Sequence, residues 1–380
     1  IFIIFEPIRL NNRLMKYNWQ YKNWANFEYD SSVIDQIVIK FALKTGELKG
    51  MIDTLPEDIK QETIIQFMID EAIKTSEIEG EFYSRQDVMS SIKNKIGIHS
   101  SISHIKDKNA RGIGELMVDV RNNFKTELTE DLVKEWHKIL FENSTSINAG
   151  NYRIGEEPMV IVSGAYGREK IHYQAPPSEL VSTEMQKFVN WYNEIKVEPI
   201  DIKNALIKAS IAHLYFESIH PFEDGNGRIG RAIAEKCLAE SFNRPLIMSL
   251  SSTIEKDKKN YYEALKDAQQ TLEITDWILY FSTTILDAQI QAKKITNFIL
   301  NKTKFLDQTK PLLNERQLKV VIKMLDQGAE GFEGGMSAKK YISITKTSKA
   351  TATRDLQDLV EKKVLITEGA GRSVRYELNM

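Results

Sequence analysis

One short stretch brings together the side chains best suited to chemistry. Residues 220–231 read His-Pro-Phe-Glu-Asp-Gly-Asn-Gly-Arg-Ile-Gly-Arg and so hold a histidine, acids, three glycines and two arginines. Helix-period segments precede the stretch (201–219) and follow it (229–242), which predicts a glycine-rich turn that opens a helix. Unpaired N–H groups and the helix dipole make such a helix start an anion site, and phosphate is the anion it suits best.

Five residues of this turn have the properties of phosphate ligands. Gly225 and Gly227 lack a Cβ, so a polyphosphate can approach their backbone closely. Arg228 and Arg231 are three residues apart on one side of the first helical turn, and each can bind phosphate oxygens with its planar fork. Asn226 can donate from its side-chain amide to a phosphate oxygen.

Two further residues predict what happens to the bound phosphate. Asp224 offers the hard oxygen that Mg²⁺ prefers when it is held by one carboxylate and substrate phosphates. His220 has a reference pKa of about 6.5 and can take a proton from a hydroxyl nucleophile near neutral pH. Each residue alone is ordinary in a loop. The whole set at one helix start predicts group transfer from a polyphosphate.

The loop resembles the signature of the Fic family, His-x-Phe-x-(Asp/Glu)-Gly-Asn-Gly-Arg-x-x-Arg, at every fixed position. The resemblance implies a mainly α fold, a helical bundle with a β-hairpin flap, and transfer of AMP from ATP to a Ser, Thr or Tyr hydroxyl of a target protein. It also implies a role for each loop residue: His220 as general base, Asp224 as the Mg²⁺ ligand, Gly225, Asn226 and Gly227 as ligands of the α- and β-phosphates, and Arg228 and Arg231 as ligands of the β- and γ-phosphates.

Gly227 distinguishes branches of that family. The kinase-like Doc branch resembles this loop but carries a larger residue here and binds the nucleotide in the opposite sense. Glycine at 227 therefore favours nucleotidyl transfer over phosphoryl transfer. The loop leaves a phosphocholine-transferring branch open.

A second motif lies upstream. A helical pattern begins at Leu55-Pro56 and ends at Gly80, a typical residue just beyond a helix. Glu79 then lies at the helix C-terminus, where a carboxylate is disfavoured by roughly 0.3–1 kcal/mol, which suggests a cationic partner. Thr75-x-x-x-Glu79-Gly80 resembles the Fic inhibitory motif, and the resemblance implies that Glu79 pairs with Arg231 and blocks the γ-phosphate position. The alternatives are an ordinary helix end, or a glutamate that orients a water for AMP removal.

Other segments are expected to complete the site. β-branched and aromatic runs around a glycine-rich turn predict a hairpin over 159–173, which the resemblance implies is a flap that aligns the target by strand addition. Tyr261 and Tyr262, on a predicted helix, are expected to cover the adenine, with core packing as the alternative. His137 and His213 are expected to be core histidines rather than ligands.

Length and pattern predict several modules. Residues 337–380 follow a helix–turn–helix pattern and then a β-hairpin, and they resemble a winged-helix domain. The expected organisation is an extension over 1–14, an N-terminal helical module with the inhibitory helix over 15–105, a Fic catalytic domain over 106–300, and a winged-helix domain over 301–380.

The C-terminal module leaves two alternatives open. In one, residues 337–380 bind DNA, with Arg372 and Arg375 of the wing on backbone phosphates. In the other, the module makes protein contacts, including those of a homodimer. Acidic residues on the second helix weaken the DNA alternative.

Bulk properties limit the function classes. The net charge of −2 gives no general attraction to nucleic acid or membrane. The single Cys237 excludes an internal disulfide and is typical of a reducing cytoplasm. The apolar runs fall short of the roughly 20 residues of a spanning helix. The sequence therefore predicts a cytoplasmic, self-inhibited protein adenylyltransferase that uses ATP and Mg²⁺. The alternative is a DNA-binding regulator whose nucleotide site senses ATP.

Overall fold

A computed structural model shows a mainly α-helical chain, which confirms the expected fold class. Its contacts divide the chain into a first unit, Ile1–Gly46 with Asp58–Ile290, and a second unit, Glu47–Glu57 with Gln291–Met380. The structure describes residues 2–4, 16–98, 105–156, 158–163, 170–198, 201–327, 331–332, 334–369 and 374–380.

The helices and strands of these residues are numbered in chain order. The helices are α1 (Asp35–Asp53), α2 (Glu57–Ile78), α3 (Arg85–Ile96), α4 (Lys108–Asn122), α5 (Glu130–Phe141), α6 (Val181–Glu194), α7 (Ile202–Ile219), α8 (Asn226–Ser241), α9 (Leu250–Lys256), α10 (Lys258–Ala268), α11 (Thr275–Thr309), α12 (Glu315–Leu325), α13 (Ala338–Thr345) and α14 (Lys349–Glu361). The strands are β1 (Phe2–Ile4), β2 (Val160–Ser163), β3 (Lys170–Gln174), β4 (Leu365–Glu368) and β5 (Arg375–Leu378).

Helices α7 and α8 form the centre of the first unit. The side chain of Asp201 caps α7 by accepting from Asn204 N, and the helix then remains buried from Ala205 to Ile219. A helix that is apolar on nearly every side must lie inside a domain. Helix α8 is also buried along most of its length. The loop that joins these two central helices is the stretch with the chemically promising residues.

Helix α2 ends where the sequence predicts. Gly80 adopts a left-handed conformation with φ of 87°. The N–H of Glu81 donates to Ser76 O at 3.0 Å, which closes the end of the helix. The chain therefore turns sharply just beyond Glu79.

The expected hairpin is present as antiparallel β2 and β3, with an irregular register at Ile161 and Val162. Its turn, residues 164–169, lies outside the described residues. A third strand, β1, pairs antiparallel with β2 and gives the order β1-β2-β3. Part of the segment expected to be an extension therefore belongs to this sheet, while residues 1 and 5–14 lie outside the described part of the chain.

The first unit does not separate at the boundary expected between an N-terminal module and a catalytic domain. Trp24 packs edge-on against Tyr215 of α7 at 5.0 Å, and its Nε1 donates to Glu184 Oε2 at 2.7 Å. Asn18 Nδ2 donates to Ser218 Oγ at 2.8 Å. These buried contacts tie the N-terminal aromatic segment to α7, so both expected modules share one core.

The second unit contains three short helices followed by a hairpin, in the order α12, α13, α14 and β4–β5. Its core includes Val320, Tyr341, Leu356 and Val364. Arg372, expected on the wing, lies outside the described residues. Among the helices that the structure describes, none is both long and apolar enough to cross a membrane.

Candidate active site

His220 occupies the C-terminal end of α7 in a left-handed conformation, with φ of 51°. This conformation is unfavourable for a residue with a side chain, so surrounding groups must hold it. Arg153, which is almost fully buried, does so by donating from Nε to His220 O at 2.8 Å and from Nη2 to Pro176 O at 2.5 Å. Its backbone N–H also donates to Pro221 O at 2.9 Å. The sequence analysis assigned no role to this arginine.

The glycine-rich turn forms the predicted helix start. Gly225, with φ of 81°, is the residue just before α8, and the first intrahelical bond runs from Ile229 N to Gly225 O at 3.0 Å. The preceding N–H groups of the helix therefore point out of its end. The region that they face has the donors that the predicted anion site requires.

Asn226 differs from the expectation that its side chain would bind phosphate. Its Oδ1 accepts from Phe222 N at 2.9 Å and its Nδ2 donates to Phe222 O at 2.8 Å. The amide is buried and acts as a brace that closes the loop on itself. Both backbone groups of Phe222 need partners in this buried turn, which explains why an amide is used here.

Asp224 lies on the exposed side of the loop, and the buried His137 contacts its backbone. Asp224 is half-exposed, and its Oδ1 accepts from Gly225 N at 2.5 Å. His137 is fully buried, as predicted, and stacks on Phe222 at 3.9 Å. Its Nδ1 accepts from Gly150 N, so its Nε2 donates to Asp224 O at 3.2 Å. This histidine positions the peptide that carries the expected metal ligand.

Arg231 is bound by the end of α2. Its Nε donates to Thr75 Oγ1 at 2.7 Å, and its Nη2 donates to Thr75 O at 2.9 Å and to Glu79 Oε1 at 2.7 Å. Positions four apart lie on one face of a helix, which explains the Thr-x-x-x-Glu spacing. The guanidinium is buried, and its Nη1 has no partner among the described residues.

Arg228, the other arginine of the loop, is also paired with a carboxylate. Arg228 Nη1 pairs with Glu81 Oε2, and the hydroxyl of Tyr83 donates to the same oxygen. The sequence analysis missed Glu81 because an acid two residues beyond a motif carries no spacing signal of its own. One short segment, residues 79–81, therefore contacts both arginines of the loop.

Gly227 lies directly against Glu79. A Cβ at position 227 would collide with Glu79 Oε1 and would come within 3.1 Å of Arg231 Nη1. A larger residue here would displace the carboxylate from its arginine. The space that glycine leaves at 227 is thus filled by Glu79 in this state.

A cavity of about 420 Å³ lies beside these residues, within the size range of small-molecule sites. Tyr261 and Tyr262 of α10 line it, as do Lys266 and Gln269. Tyr261 OH lies 2.8 Å from His213 Nε2, and Tyr262 OH donates to Ile78 O at 3.3 Å. Both tyrosines are therefore fixed in place at the cavity wall.

Electrostatics distinguish the carboxylates of the site. Burial raises the pKa of Glu79, but the charge and hydrogen bond of Arg231 outweigh it, so the net pKa lies below that of an ordinary glutamate. Burial and the nearby charge of Glu79 raise the pKa of Glu217 to about 8. Burial and then the charge of Arg153 lower the pKa of His220 to about 4. His220 is therefore uncharged at neutral pH, as a general base must be.

The segment that holds this loop is similar to a known protein family. Residues 127–238 match the Fic/DOC family, a segment that includes Arg153 and the whole His220–Arg231 loop. Residues 17–98 match a domain of unknown function, DUF4172, and this match includes Glu79 and Glu81.

Several curated proteins and solved structures are similar to the chain. A probable protein adenylyltransferase of Aquifex aeolicus is 33% identical over 98 residues, which are 26% of this chain and 27% of that protein. The protein adenylyltransferase Fic of Drosophila erecta is 29% identical over 146 residues, 38% of this chain and 26% of that protein. The chain thus matches about a quarter of the length of these relatives.

Two solved structures also align with the chain. A Fic family protein of Desulfovibrio desulfuricans aligns at a TM-score of 0.49 and 17% identity, over 90% of this chain and 95% of that one. A Fic-1 structure of C. elegans aligns at a TM-score of 0.46 and 19% identity, over 70% of this chain and 75% of that one. With a complete loop signature inside the matched segment, residues 127–238 are a Fic domain.

Proposed function

We propose that the chain is a self-inhibited protein adenylyltransferase that transfers AMP from ATP to a hydroxyl side chain of a target protein or of itself. The observation that carries this proposal is the arrangement around one cavity. His220, the start of α8 and the carboxylate of Glu79 all line it. A base, an anion site and a removable block thus lie within reach of a single ligand.

ATP fits the groups that the site leaves available. The N–H groups at the start of α8 would bind the α- and β-phosphates. Nη1 of Arg231 and Nε of Arg228, which are buried and without a partner among the described residues, would bind the outer phosphates once residues 79–81 move away. Tyr261 and Tyr262 form an aromatic wall for the adenine. Asn226 contributes by holding the loop closed.

The donor set also fits Mg²⁺ bound through phosphates. The described residues contain no group of three or more His, Cys, Asp or Glu that could hold a metal. Asp224, with a half-exposed carboxylate at the loop, would instead hold the ion together with phosphate oxygens. The ion would neutralise charge on the pyrophosphate as it leaves.

The reaction follows from the position of His220. Its Nδ1 faces Glu217, so Nε2 is the nitrogen left to accept the proton of the target hydroxyl. The hydroxyl oxygen then bonds to the α-phosphorus, and the bond from that phosphorus to its bridging oxygen breaks. Pyrophosphate leaves, and AMP remains on the target as a phosphodiester. The same geometry with water as the attacking group would remove AMP from a modified target.

Two ion pairs would keep the resting protein inactive. Glu79 and Thr75 bind Arg231 where the γ-phosphate would lie, and Glu81 binds Arg228. ATP could then bind only in a pose that misplaces its α-phosphate. Release would need movement of residues 79–81 away from both arginines.

The flap offers a docking edge for the target. His172 and Tyr173 of β3 and Ile161 of β2 line the cavity. In the sheet order β1-β2-β3, strand β3 is an edge strand, and Trp19 Nε1 donates to Gln174 O at its end. We propose that an extended target segment adds to this edge and presents its hydroxyl to His220.

Labelled ATP tests the proposal. With α-labelled ATP and Mg²⁺, Glu79→Gly should label itself or a target several-fold more than the parent, and γ-labelled ATP should give no protein label. The matched control is Glu77→Gly, because Glu77 also lies in the last turn of α2 but pairs with Lys74. Label from the γ-position would mean phosphoryl transfer. ATP binding without any label would favour a nucleotide-sensing regulator.

DNA binding by residues 337–380 remains a second candidate, and one observation favours it. Asp355 is buried, where it accepts from Tyr341 OH at 2.8 Å and Arg316 Nε at 3.1 Å. Asp358 accepts from Gln317 Nε2 at 2.6 Å. Two acids that weakened the DNA alternative thus serve internal contacts, while Lys349 and Arg354 of α14 are exposed.

Salt-dependent retention on DNA tests this second function. A DNA-binding module should lose affinity steeply as salt rises, because phosphate contacts release counterions. Replacement of Lys349 and Arg354 by glutamine should weaken retention and reduce the salt slope. Retention that is absent at low salt would leave protein contacts, including a homodimer, as the role of this module.

A further inference from the structure

Three buried polar atoms beneath the cavity make no hydrogen bond of ordinary geometry among the described residues, although the backbone of Glu217 lies near the ring of His220 and that of Gly230 near the ring of His213. They are Glu217 Oε1, His213 Nδ1 and His220 Nδ1. Buried polar groups normally find partners, so an orphaned set next to a proposed general base indicates a contact that another state of the protein completes.

Glu217 is the carboxyl group in this set. It lies one helical turn before His220 on α7, and its Oε2 is 3.9 Å from His220 Nδ1. Gln269 Nε2 donates to the backbone oxygen of Glu217 at 3.2 Å and so fixes that turn. Gly230 makes room for the carboxyl, since a Cβ there would collide with Glu217 Oε1. The carboxyl is thus held beside the imidazole, slightly beyond hydrogen-bond distance.

Charged and titratable groups face this pair from every element around it. Glu79 approaches from the end of α2, Arg231 from α8 and Arg153 from the segment before the flap. From α7 itself comes His213, whose Nε2 is engaged by Tyr261 of α10. Glu79 is the only group of this set that the proposed release would remove.

We propose that Glu217 is a positioning residue for AMP transfer, which as a carboxylate accepts a hydrogen bond from Nδ1–H of His220. This inference rests on the proposed function. In the reaction, the proton of the target hydroxyl moves to Nε2, the new bond to the α-phosphorus forms and pyrophosphate departs with the electrons of the broken bond. The Nδ1 proton stays on the imidazole, and the carboxylate of Glu217 stabilises the positive charge that the ring acquires.

The inhibitory glutamate then acts on the base as well as on the nucleotide. Burial and the charge of Glu79 raise the pKa of Glu217 to about 8, so Glu217 is largely protonated at neutral pH in the restrained state. Removal of the Glu79 charge lowers the pKa of Glu217, while the larger contribution of burial remains. Glu217 can then ionise beneath His220 and increase its basicity.

Kinetics in the released protein test this role. In Glu79→Gly, the rate of AMP transfer should rise with pH as Glu217 ionises. Adding Glu217→Gln should remove that rise and lower kcat about tenfold, the effect of one pKa unit, with the KM for ATP nearly unchanged. Glu217→Asp should retain the pH-dependent rise. Glu184→Gln, which also changes a buried carboxylate, is the control that should leave the profile unaltered.

NMR titration of the His220 ring gives a readout that does not depend on transfer. Glu79→Gly also removes a charge that raises the pKa of His220, so the comparison is made within that background, where Glu217→Gln should lower the pKa of His220. A His220 pKa that is equal in Glu79→Gly with and without Glu217→Gln, or an unaltered pH–rate profile in Glu217→Gln, overturns the inference. A coupled titration in a protein that transfers no AMP would support the Glu217–His220 contact and contradict the proposed function instead.

Discussion

Replacing Glu79 by glycine should make the nucleotide-free protein less stable while making its response to ATP stronger. Arg231 is buried and has one carboxylate partner, Glu79, whose Oε1 lies 2.7 Å from its Nη2. Removing one partner of a buried ion pair costs about 3–5 kcal/mol when the remaining charge is sealed from water. Glu79 is 26% exposed, so its ion pair is partly hydrated, and its removal also relieves an unfavourable helix-end charge worth roughly 0.3–1 kcal/mol. We therefore expect Glu79→Gly to lower the free energy of unfolding by about 2–3 kcal/mol.

Thermal unfolding measures this cost. A loss of about 2–3 kcal/mol should lower the Tm by roughly 5–10 °C, since 1 kcal/mol shifts a domain of this size by about 2–4 °C. The γ-phosphate of bound ATP would give Arg231 a new partner. MgATP should therefore raise the Tm of Glu79→Gly more than that of the parent. Glu77→Gly controls for a glycine in the last turn of α2.

Two results would refute this reasoning. If Glu79→Gly is as stable as the Glu77→Gly control, the ion pair contributes nothing to the resting state. If MgATP stabilises the parent and Glu79→Gly equally, the γ-phosphate does not take the place of the carboxylate.

Three further predictions concern other parts of the site. Glu81→Gln in the parent background should free Arg228 and raise ATP affinity by about tenfold or more in calorimetry, because one charged hydrogen bond is worth about 1.5–3 kcal/mol. An unchanged affinity would remove Glu81 from the inhibitory contacts. Asn226→Ala should lower the free energy of unfolding by about 2–4 kcal/mol in denaturant titration, because it leaves both backbone groups of Phe222 without a partner. A loss below about 0.5 kcal/mol would contradict the role of Asn226 in closing the loop. Burial lowers the pKa values of His137 and His220 to about 4 and that of His213 to about 3, so each of these histidines makes the free energy of unfolding fall as the pH decreases from ~6.5 to 4, by up to about 1.4 kcal/mol per pH unit. Glu217 and Glu235, whose pKa values burial raises to about 8, oppose this fall, so the test is the difference between variants: His137→Gln should reduce the fall, and the same pH dependence in His137→Gln and the parent would be the contrary result.

The loop and its neighbouring helices were predictable because their signals are local. The three-and-four spacing of apolar residues marks α7 and α8, and the run from His220 to Arg231 carries its chemistry in consecutive positions. Gly80 likewise marks the end of α2 through its own backbone preference. These features need no knowledge of the tertiary structure.

Other features depend on distant parts of the chain and had no such signal. Arg153 holds His220 across 67 positions, and Glu81 meets Arg228 across 147. Strand β1 joins the flap sheet from the far end of the sequence. The contacts of Asn226 with Phe222 had no signal either, because an amide that binds phosphate and one that closes a turn look identical in sequence. Trp24 packs on Tyr215 across the boundary expected near residue 105, a contact that no local pattern indicates.

Intact-mass spectrometry of Glu79→Gly tests the central claim most directly. After incubation with MgATP, alone or with a target protein, the account predicts a mass increase of one AMP group, which disappears when His220→Ala is added while ATP binding remains. A mass increase that persists without the His220 imidazole, or ATP binding by Glu79→Gly without any adduct on itself or a target, would contradict it.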